Sequence, residues 1–423
     1  MTPPTAIRAE LTWVDGALRP GIEVGIDADG RIGSVKATDS PPTHERIALF
    51  PGFVNAHSHA FQRALRGRGE RFERPDEDFW SWREAMYELV QEMDRDSLKR
   101  IATQAFSEMR RSGMTTVGEF HYLHHDRECD WGFDEVMLEA AAEVGIRIVL
   151  LQAYYVTGGI GDPLGPAQKR FDGQNPEAYW SNMDRLQSLV DGRRQRLGVV
   201  AHSIRAVPPD QLALLHEESR RRELVFHMHV EEQPAEIKAC KEAYGMTPTA
   251  LLLDRLDLDN RFTAVHDTHT DPSEMSRYLK CGARVCICPL TEANLGDGLA
   301  DVPGIISDGG RICLGSDSNA RISMLEEMRL LEYGQRLQQQ RRGRCRDSEG
   351  RIDRVLLDMA TINGADSLGI HAGRIEVGRE ADLVLVDLDA PTLVGCDGDS
   401  IAPAMILGAS EECIVSTMVG GVV

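Results

Sequence analysis

From about Ile7 to Lys36, apolar and polar residues alternate in short runs broken by Gly and Asp turns. Ile22–Ile26 and Ile32–Val35 therefore read as short antiparallel strands, since a period of two puts the apolar side chains on one face. An apolar run, a Pro-Gly turn and a histidine pair follow between Ile47 and His59. Beyond that point short apolar runs alternate with longer stretches of helical period. Strands are predicted at Pro51–His59, Thr115–Phe120, Ile146–Tyr154, Gly198–His202, Leu224–His229, Phe262–His266, Arg284–Cys288 and Arg311–Asp317. Helices are predicted between them at Asp78–Arg111, Asp134–Val144, Glu177–Val190, Pro209–Arg222, Thr247–Leu256 and Pro272–Lys280. Two more helices, Met324–Arg341 and Arg351–Ala365, precede a last apolar run in Gly378–Asp387.

Strands alternating with helices through most of the chain point to an α/β fold, a (β/α)8 TIM-like barrel. The chain begins and ends with β segments that can pair into one small domain. The expected organisation is a barrel over residues 49–367, and a composite β-sandwich domain from 1–48 and 368–423. No internal repeat or low-complexity segment interrupts this plan.

Composition narrows the function classes. With 47 basic and 67 acidic side chains the net charge is −20. That disfavours nucleic acid and anionic membrane as partners, because both need a positive footprint. No apolar run reaches the ~18 residues of a bilayer span, and Met1-Thr2-Pro3-Pro4 does not begin a secretory signal. Nine cysteines, an odd number in no paired framework, suggest a reducing, cytoplasmic setting. Cys286 and Cys288 sit in an apolar run and read as strand packing. The basic stretch Arg341–Arg346 reads as a solvated loop. The Gly-rich stretch Thr157–Gly165 lacks the Gly-Lys-Ser/Thr ending of a phosphate loop and reads as a flexible barrel loop, a candidate lid.

The candidate chemistry gathers at strand ends. His57 and His59 share one side of the first barrel strand, so both imidazoles can meet one metal. His229, His266 and Asp317 come at the ends of the fifth, sixth and eighth strands. Barrel active sites form at this face, and His and Asp are residues that bind zinc or iron.

This constellation resembles the amidohydrolase superfamily from end to end, including the split β domain and the closing Gly378–Leu383 segment. The resemblance implies a metal held by His57, His59, His229 and Asp317, with His266 as the catalytic histidine. Members with two metals usually bridge them by a carboxylated lysine after strand four. Ala201-His202-Ser203-Ile204-Arg205 has none, so one divalent metal per chain, zinc, is expected. Segments His57–Arg63, Gly118–Tyr122, His202–Val207, Cys288–Gly298 and Leu331–Leu337 look like the formimidoylglutamate deiminases within that superfamily. That implies hydrolysis of N-formimidoyl-L-glutamate to N-formyl-L-glutamate and ammonia in histidine degradation.

In this reading the metal provides Lewis-acid activation of a water, and Asp317 takes the water proton with His266 as its partner. By resemblance Glu232 carries a proton to the leaving nitrogen, with Glu231 the competing candidate. The substrate is a small dicarboxylate amidine. The resemblance places one carboxylate on His202 and Arg205 and the other on Gln62, Arg83 and Tyr122. Guanidinium groups suit this work because they match carboxylates bidentately. One departure is visible: Ser316-Asp317-Ser318 is followed by Asn319 where the family pattern has His, which bears on proton handling or substrate preference. Two alternatives stay open, another mononuclear aminohydrolase acting on a purine-like or guanidino substrate, and a metal-free barrel serving as a binding protein. A homodimer is the expected assembly.

Overall fold

The computed structural model describes residues 5–68, 70, 79–126 and 130–423. Of the positions singled out above, Met1–Pro4 and Asp78 lie outside them, as does Cys129, one of the nine cysteines. Eight parallel strands follow one another around a barrel: β1 (Phe53–Ser58), β2 (Met114–His121), β3 (Arg147–Tyr154), β4 (Gln195–Ser203), β5 (Phe226–Val230), β6 (Phe262–His266), β7 (Arg284–Ile287) and β8 (Arg311–Leu314). β2 and β3 are buried along their whole length, as expected of strands covered on both faces. Closure occurs between the ends of β1 and β8. Asp317 N–H donates to His57 O at 3.0 Å, and His59 N–H to Asp317 O at 2.9 Å. The two hydrogen bonds that shut the ring therefore pass through candidate metal ligands.

Cap chemistry sets the helices. Asn175, Thr247 and Asp271 each accept a backbone N–H at the start of a helix whose first turn carries proline, at Pro176–Gln187, Pro248–Arg255 and Pro272–Lys280. The expected long helix Asp78–Arg111 is two helices, Phe79–Glu92 and Arg95–Arg111. Asp94 Oδ1 accepts Ser97 N–H at 2.8 Å, and Ser97 Oγ accepts Asp94 N–H at 2.9 Å. This capping box restarts the helix inside a continuous amphipathic pattern. The expected helix Arg351–Ala365 is likewise broken, at Thr361, which leaves helical geometry (φ −134°, ψ −90°). Asp317 stands three residues beyond β8 instead of ending it. Arg341–Arg346 does form the loop between two helices.

The terminal segments build the small domain. A five-stranded sheet runs in the order Ile414–Met418, Leu383–Asp387, His44–Pro51, Ala9–Val14, Ala17–Arg19, and a three-stranded sheet joins Thr5–Ile7, Ile22–Ile26 and Ile32–Ala37. Ile7, Val24, Ile26 and Ile32 pack against Leu49, Leu383, Leu385 and Met418 in one apolar cluster between them. Leu383–Asp387 pairs antiparallel with Ile47–Pro51, so the two ends of the chain share one sheet. Ile22–Ile26 and Ile32–Ala37 are antiparallel, as expected. Among the described residues no helix is long and apolar enough to cross a membrane.

Candidate active site

β1 ends in the His57–His59 turn, β5 carries His229, and the turn after β8 carries Asp317. Their ligand atoms all lie within 4.8 Å of one another, and all four residues are buried. His229 Nε2 is 3.2 Å from His57 Nε2 and 3.4 Å from His59 Nε2. Asp317 Oδ1 lies 3.4 and 3.3 Å from the same two His nitrogens. His59 Nδ1–H donates to Phe120 O at 2.8 Å and His229 Nδ1–H to His202 O at 3.0 Å. A neutral imidazole that donates from Nδ1 presents a lone pair at Nε2. Burial keeps these rings neutral: it lowers His57, takes His59 down to about 3, and holds His229 well below its ordinary value. Lone pairs and a carboxylate oxygen converging in a dry site repel one another unless a cation sits between them. The residues present thus fit a divalent metal, and the Nδ1-to-carbonyl bonds supply the outer support such ligands normally have.

Gly315 makes this closure possible. A Cβ there would come within 2.7 Å of His57 Cβ and 2.8 Å of His57 O. His266 and Asp317 both adopt left-handed backbone, at φ 78° and 44°, and such strain in non-glycine residues gathers at functional sites.

Asp317 divides its two oxygens. Oδ1 faces the imidazoles, and Oδ2 lies 3.9 Å from His266 Nε2. Glu232 Oε1 is 3.8 Å from that same nitrogen, and Glu292 Oε1 is 3.3 Å from His266 Nδ1. Burial alone would depress His266, yet Glu232, Glu292 and Asp317 outweigh it and push the imidazole up to about 10. Burial alone would raise Asp317, but hydrogen bonding to His57 and the surrounding imidazoles hold its carboxyl well below the usual range. Glu232 is raised by burial. Glu231, its neighbour, accepts Thr249 N–H at 2.9 Å and does not line the cavity.

The cavity above this centre brings the sequence-derived residues together. Gln62, Arg83, Tyr122, His202, Arg205, Glu232, His266 and Asp317 all line it, beside His59 and His229. His57 lies beneath. Gln62 Nε2 donates to Tyr122 Oη at 2.7 Å. Arg205 has Glu232 Oε2 at 3.6 Å and Glu236 Oε2 at 3.8 Å. Burial and the Arg205 charge hold His202 well below its ordinary value, so it is a neutral ring.

Asn319 does not face this cavity. Its Nδ2 donates to Ser58 Oγ, His59 O and Asp317 O at 3.0–3.1 Å, and its Oδ1 accepts Ser316 Oγ–H at 2.7 Å. The residue fastens the ligand turns, and a direct part in proton handling is not what its contacts provide.

Sequence reasoning missed Glu292, although it lies within the quoted Cys288–Gly298 segment. It also missed the wall of Phe79, Trp82, Met86, Tyr87, Tyr155 and Phe171; the first four share one face of the helix Phe79–Glu92, a spacing that in sequence looks the same as a face packed on the core. Cys288 comes near His266 and Asp317. Burial keeps its thiol protonated, and it packs with Cys286, Cys313, Ala56 and Val265. A further buried group, His121, His124 and Asp134, involves a carboxylate that also accepts from Gln152 and Asn182.

Residues 48–423 match the model of the amidohydrolase family. The chain belongs to that family. This amidohydrolase is therefore a hydrolase acting on C–N bonds. It is 36% identical over 426 residues to formimidoylglutamate deiminase of Pseudomonas aeruginosa, covering 99% of this chain and 94% of the relative. It is 28% identical to a 5-methylthioadenosine/S-adenosylhomocysteine deaminase of Haloarcula marismortui, over 85% of this chain and 79% of that one. Among solved structures, an amidohydrolase from Brucella melitensis superposes with a TM-score of 0.90 at 32% identity, covering 99% of this chain and 94% of that one. An adenosine deaminase from Xanthomonas campestris with bound zinc gives 0.81 at 22% identity, over 99% and 92% of the two chains, and shares the fold.

Proposed function

We propose that this amidohydrolase hydrolyses N-formimidoyl-L-glutamate to N-formyl-L-glutamate and ammonia, as a step of histidine degradation, with one zinc ion per chain. The observation that carries the reading is one cavity that has the His57, His59, His229 and Asp317 set at its floor, with His57 beneath the other three, and two arginines, Arg83 and Arg205, in its lining, in a chain of net charge −20. The likeness to a formimidoylglutamate deiminase along nearly the whole chain supports it.

A divalent ion in the set supplies Lewis-acid activation of water. Asp317 Oδ2, on the His266 side, takes the proton of the attacking water and becomes neutral, and the cationic His266 stabilises the negative charge left on the attacking oxygen. Glu232 lies within reach of His266 and inside the cavity, and it delivers a proton to the leaving nitrogen so that ammonia departs. Arg205 with His202, and Arg83 with Gln62 and Tyr122, hold the two carboxylates, which fixes the formimidoyl carbon for attack.

The aromatic wall favours a second reading, an aminohydrolase of a purine-like ring stacked on it. Measuring kcat/KM for Arg83→Met and Arg205→Met with di- and mono-carboxylate substrates separates the two. Each variant should lose most of the preference for the dicarboxylate, because a hydrogen bond to a charged group contributes about 1.5–3 kcal/mol. Unchanged preference in both would contradict the proposal.

A further inference from the structure

Gln168 is buried in the turn Ala167–Phe171 that follows β3, and the chain itself orients its amide. The Gly165 N–H can only donate, and it meets Gln168 Oε1 at 2.8 Å. The other end of the amide is therefore the NH2 group. Three oxygens surround that group: Tyr155 Oη at 2.8 Å, Tyr87 Oη at 3.0 Å and Gly158 O at 3.3 Å. A phenol oxygen that accepts from an amide keeps its own proton to give elsewhere.

Among the described residues neither hydroxyl has an acceptor for that proton, and both tyrosines line the cavity with Arg83 and Arg205. The Arg83 guanidinium lies 5.5 Å from the centre of the Tyr87 ring. Burial raises the Tyr155 phenol far above its ordinary value, so it stays a neutral donor. Two hydroxyls on one amide nitrogen sit side by side, their protons unassigned, next to two guanidinium groups. This arrangement suits an anion with adjacent acceptor oxygens.

We infer that Tyr155 and Tyr87 form a carboxylate subsite of the cavity, and that Gln168 is the positioning residue that leaves their protons to the ligand. That the carboxylate belongs to N-formimidoyl-L-glutamate rests on the proposed function. The subsite itself rests on the hydrogen-bond directions. Because Gln168 also holds Gly158 O and Gly165 N–H, the same side chain ties both ends of the Gly-rich loop to the phenols. That loop is thereby placed as part of the subsite wall.

The test is calorimetric titration of the metal-loaded protein with glutarate, a bare dicarboxylate, with metal content and thermal midpoint measured alongside. Tyr155→Phe should weaken glutarate binding at least tenfold with metal content kept, given the usual worth of a hydrogen bond to a charged group. Gln168→Glu keeps an acceptor for Gly165 N–H but presents an oxygen to the phenols, whose protons then turn towards it, so glutarate binding should fall. The added charge would also repel glutarate, and the double variant separates the two causes. Adding Tyr155→Phe to Gln168→Glu should cost little more if the proton has already turned away, whereas a full additional loss would overturn the positioning role. If Gln168→Glu fails to fold, Gln168→Met removes the donors at similar volume and should also weaken glutarate. Glutarate binding that is absent in the wild type, or unchanged in Tyr155→Phe, would overturn the subsite. Glutarate bound as expected by a protein inert towards N-formimidoyl-L-glutamate would leave the subsite standing and refute the proposed function instead.

Discussion

Asn319 gives its amide protons to Ser58 and to the backbone carbonyls of His59 and Asp317. Asn319→Asp would turn that donor into an acceptor facing acceptors, beside two candidate metal ligands. Loss of such outer-shell support typically costs 10–100-fold in metal affinity. Chelator competition should therefore show metal held about that much more weakly, and unchanged affinity would contradict the role of Asn319 in fastening these turns. Glu232 makes a contrasting case. Glu232→Gln should keep the metal yet lower kcat by about 10²–10⁴, the usual worth of general acid–base help. A metal-replete variant with near wild-type kcat would move the role elsewhere. His57, His59, His229, His266 and Asp317 were legible in the sequence because strand ends and the i, i+2 rule place them without any knowledge of the helices, while the division into four ligands and one catalytic histidine came from the family resemblance. Glu292, Tyr87 and Gln168 were not, since each reaches the site from a helical segment whose path the sequence does not specify, and Tyr155, directly after β3, carries no ligand chemistry that would single it out.

At the scale of elements, helix Pro209–Arg221 lays His216 against Phe226 of β5 and Phe262 of β6, with ring centroids 5.2 and 6.0 Å away. Burial takes this imidazole down to about 4, below the ~6.5 of an exposed histidine. The unfolded chain therefore takes up this proton first as pH falls. The contribution is whole above about pH 6.5 and is lost progressively towards pH 4, by at most about 3 kcal/mol. His216→Phe should blunt the drop in the thermal midpoint between pH 6.5 and 4, and a variant as acid-sensitive as the wild type would contradict this assignment. Periodicity located the eight barrel strands because their apolar runs are short and bounded. It merged the helices Phe79–Glu92 and Arg95–Arg111 because the apolar stripe continues across the break, which the Asp94–Ser97 box marks as the start of the second. Pro234–Tyr244 also went unpredicted, although Pro234 stands where a helix would begin.

Across the whole molecule, the barrel and the terminal sheets are joined covalently through Gly52 and electrostatically through Arg147. That buried guanidinium, at the start of β3, takes both oxygens of Asp382 at 3.0 Å and Glu380 at 3.0 Å. Both carboxylates belong to the segment that closes the small domain. The join lies at the strand starts, while the candidate metal ligands, the Glu232–His266 pair and the cavity gather at the strand ends, as barrel enzymes arrange them. The central claim is that this cavity hydrolyses a dicarboxylate amidine. The most direct measurement is ammonia release by the zinc-loaded protein from N-formimidoyl-L-glutamate, guanidino acids and purine-like rings, each at the same concentration. Ammonia and N-formyl-L-glutamate in equal amounts from the first substrate, with far less turnover of the others, is the expected result. An enzyme inert towards N-formimidoyl-L-glutamate, or one that prefers a ring substrate, would contradict the account.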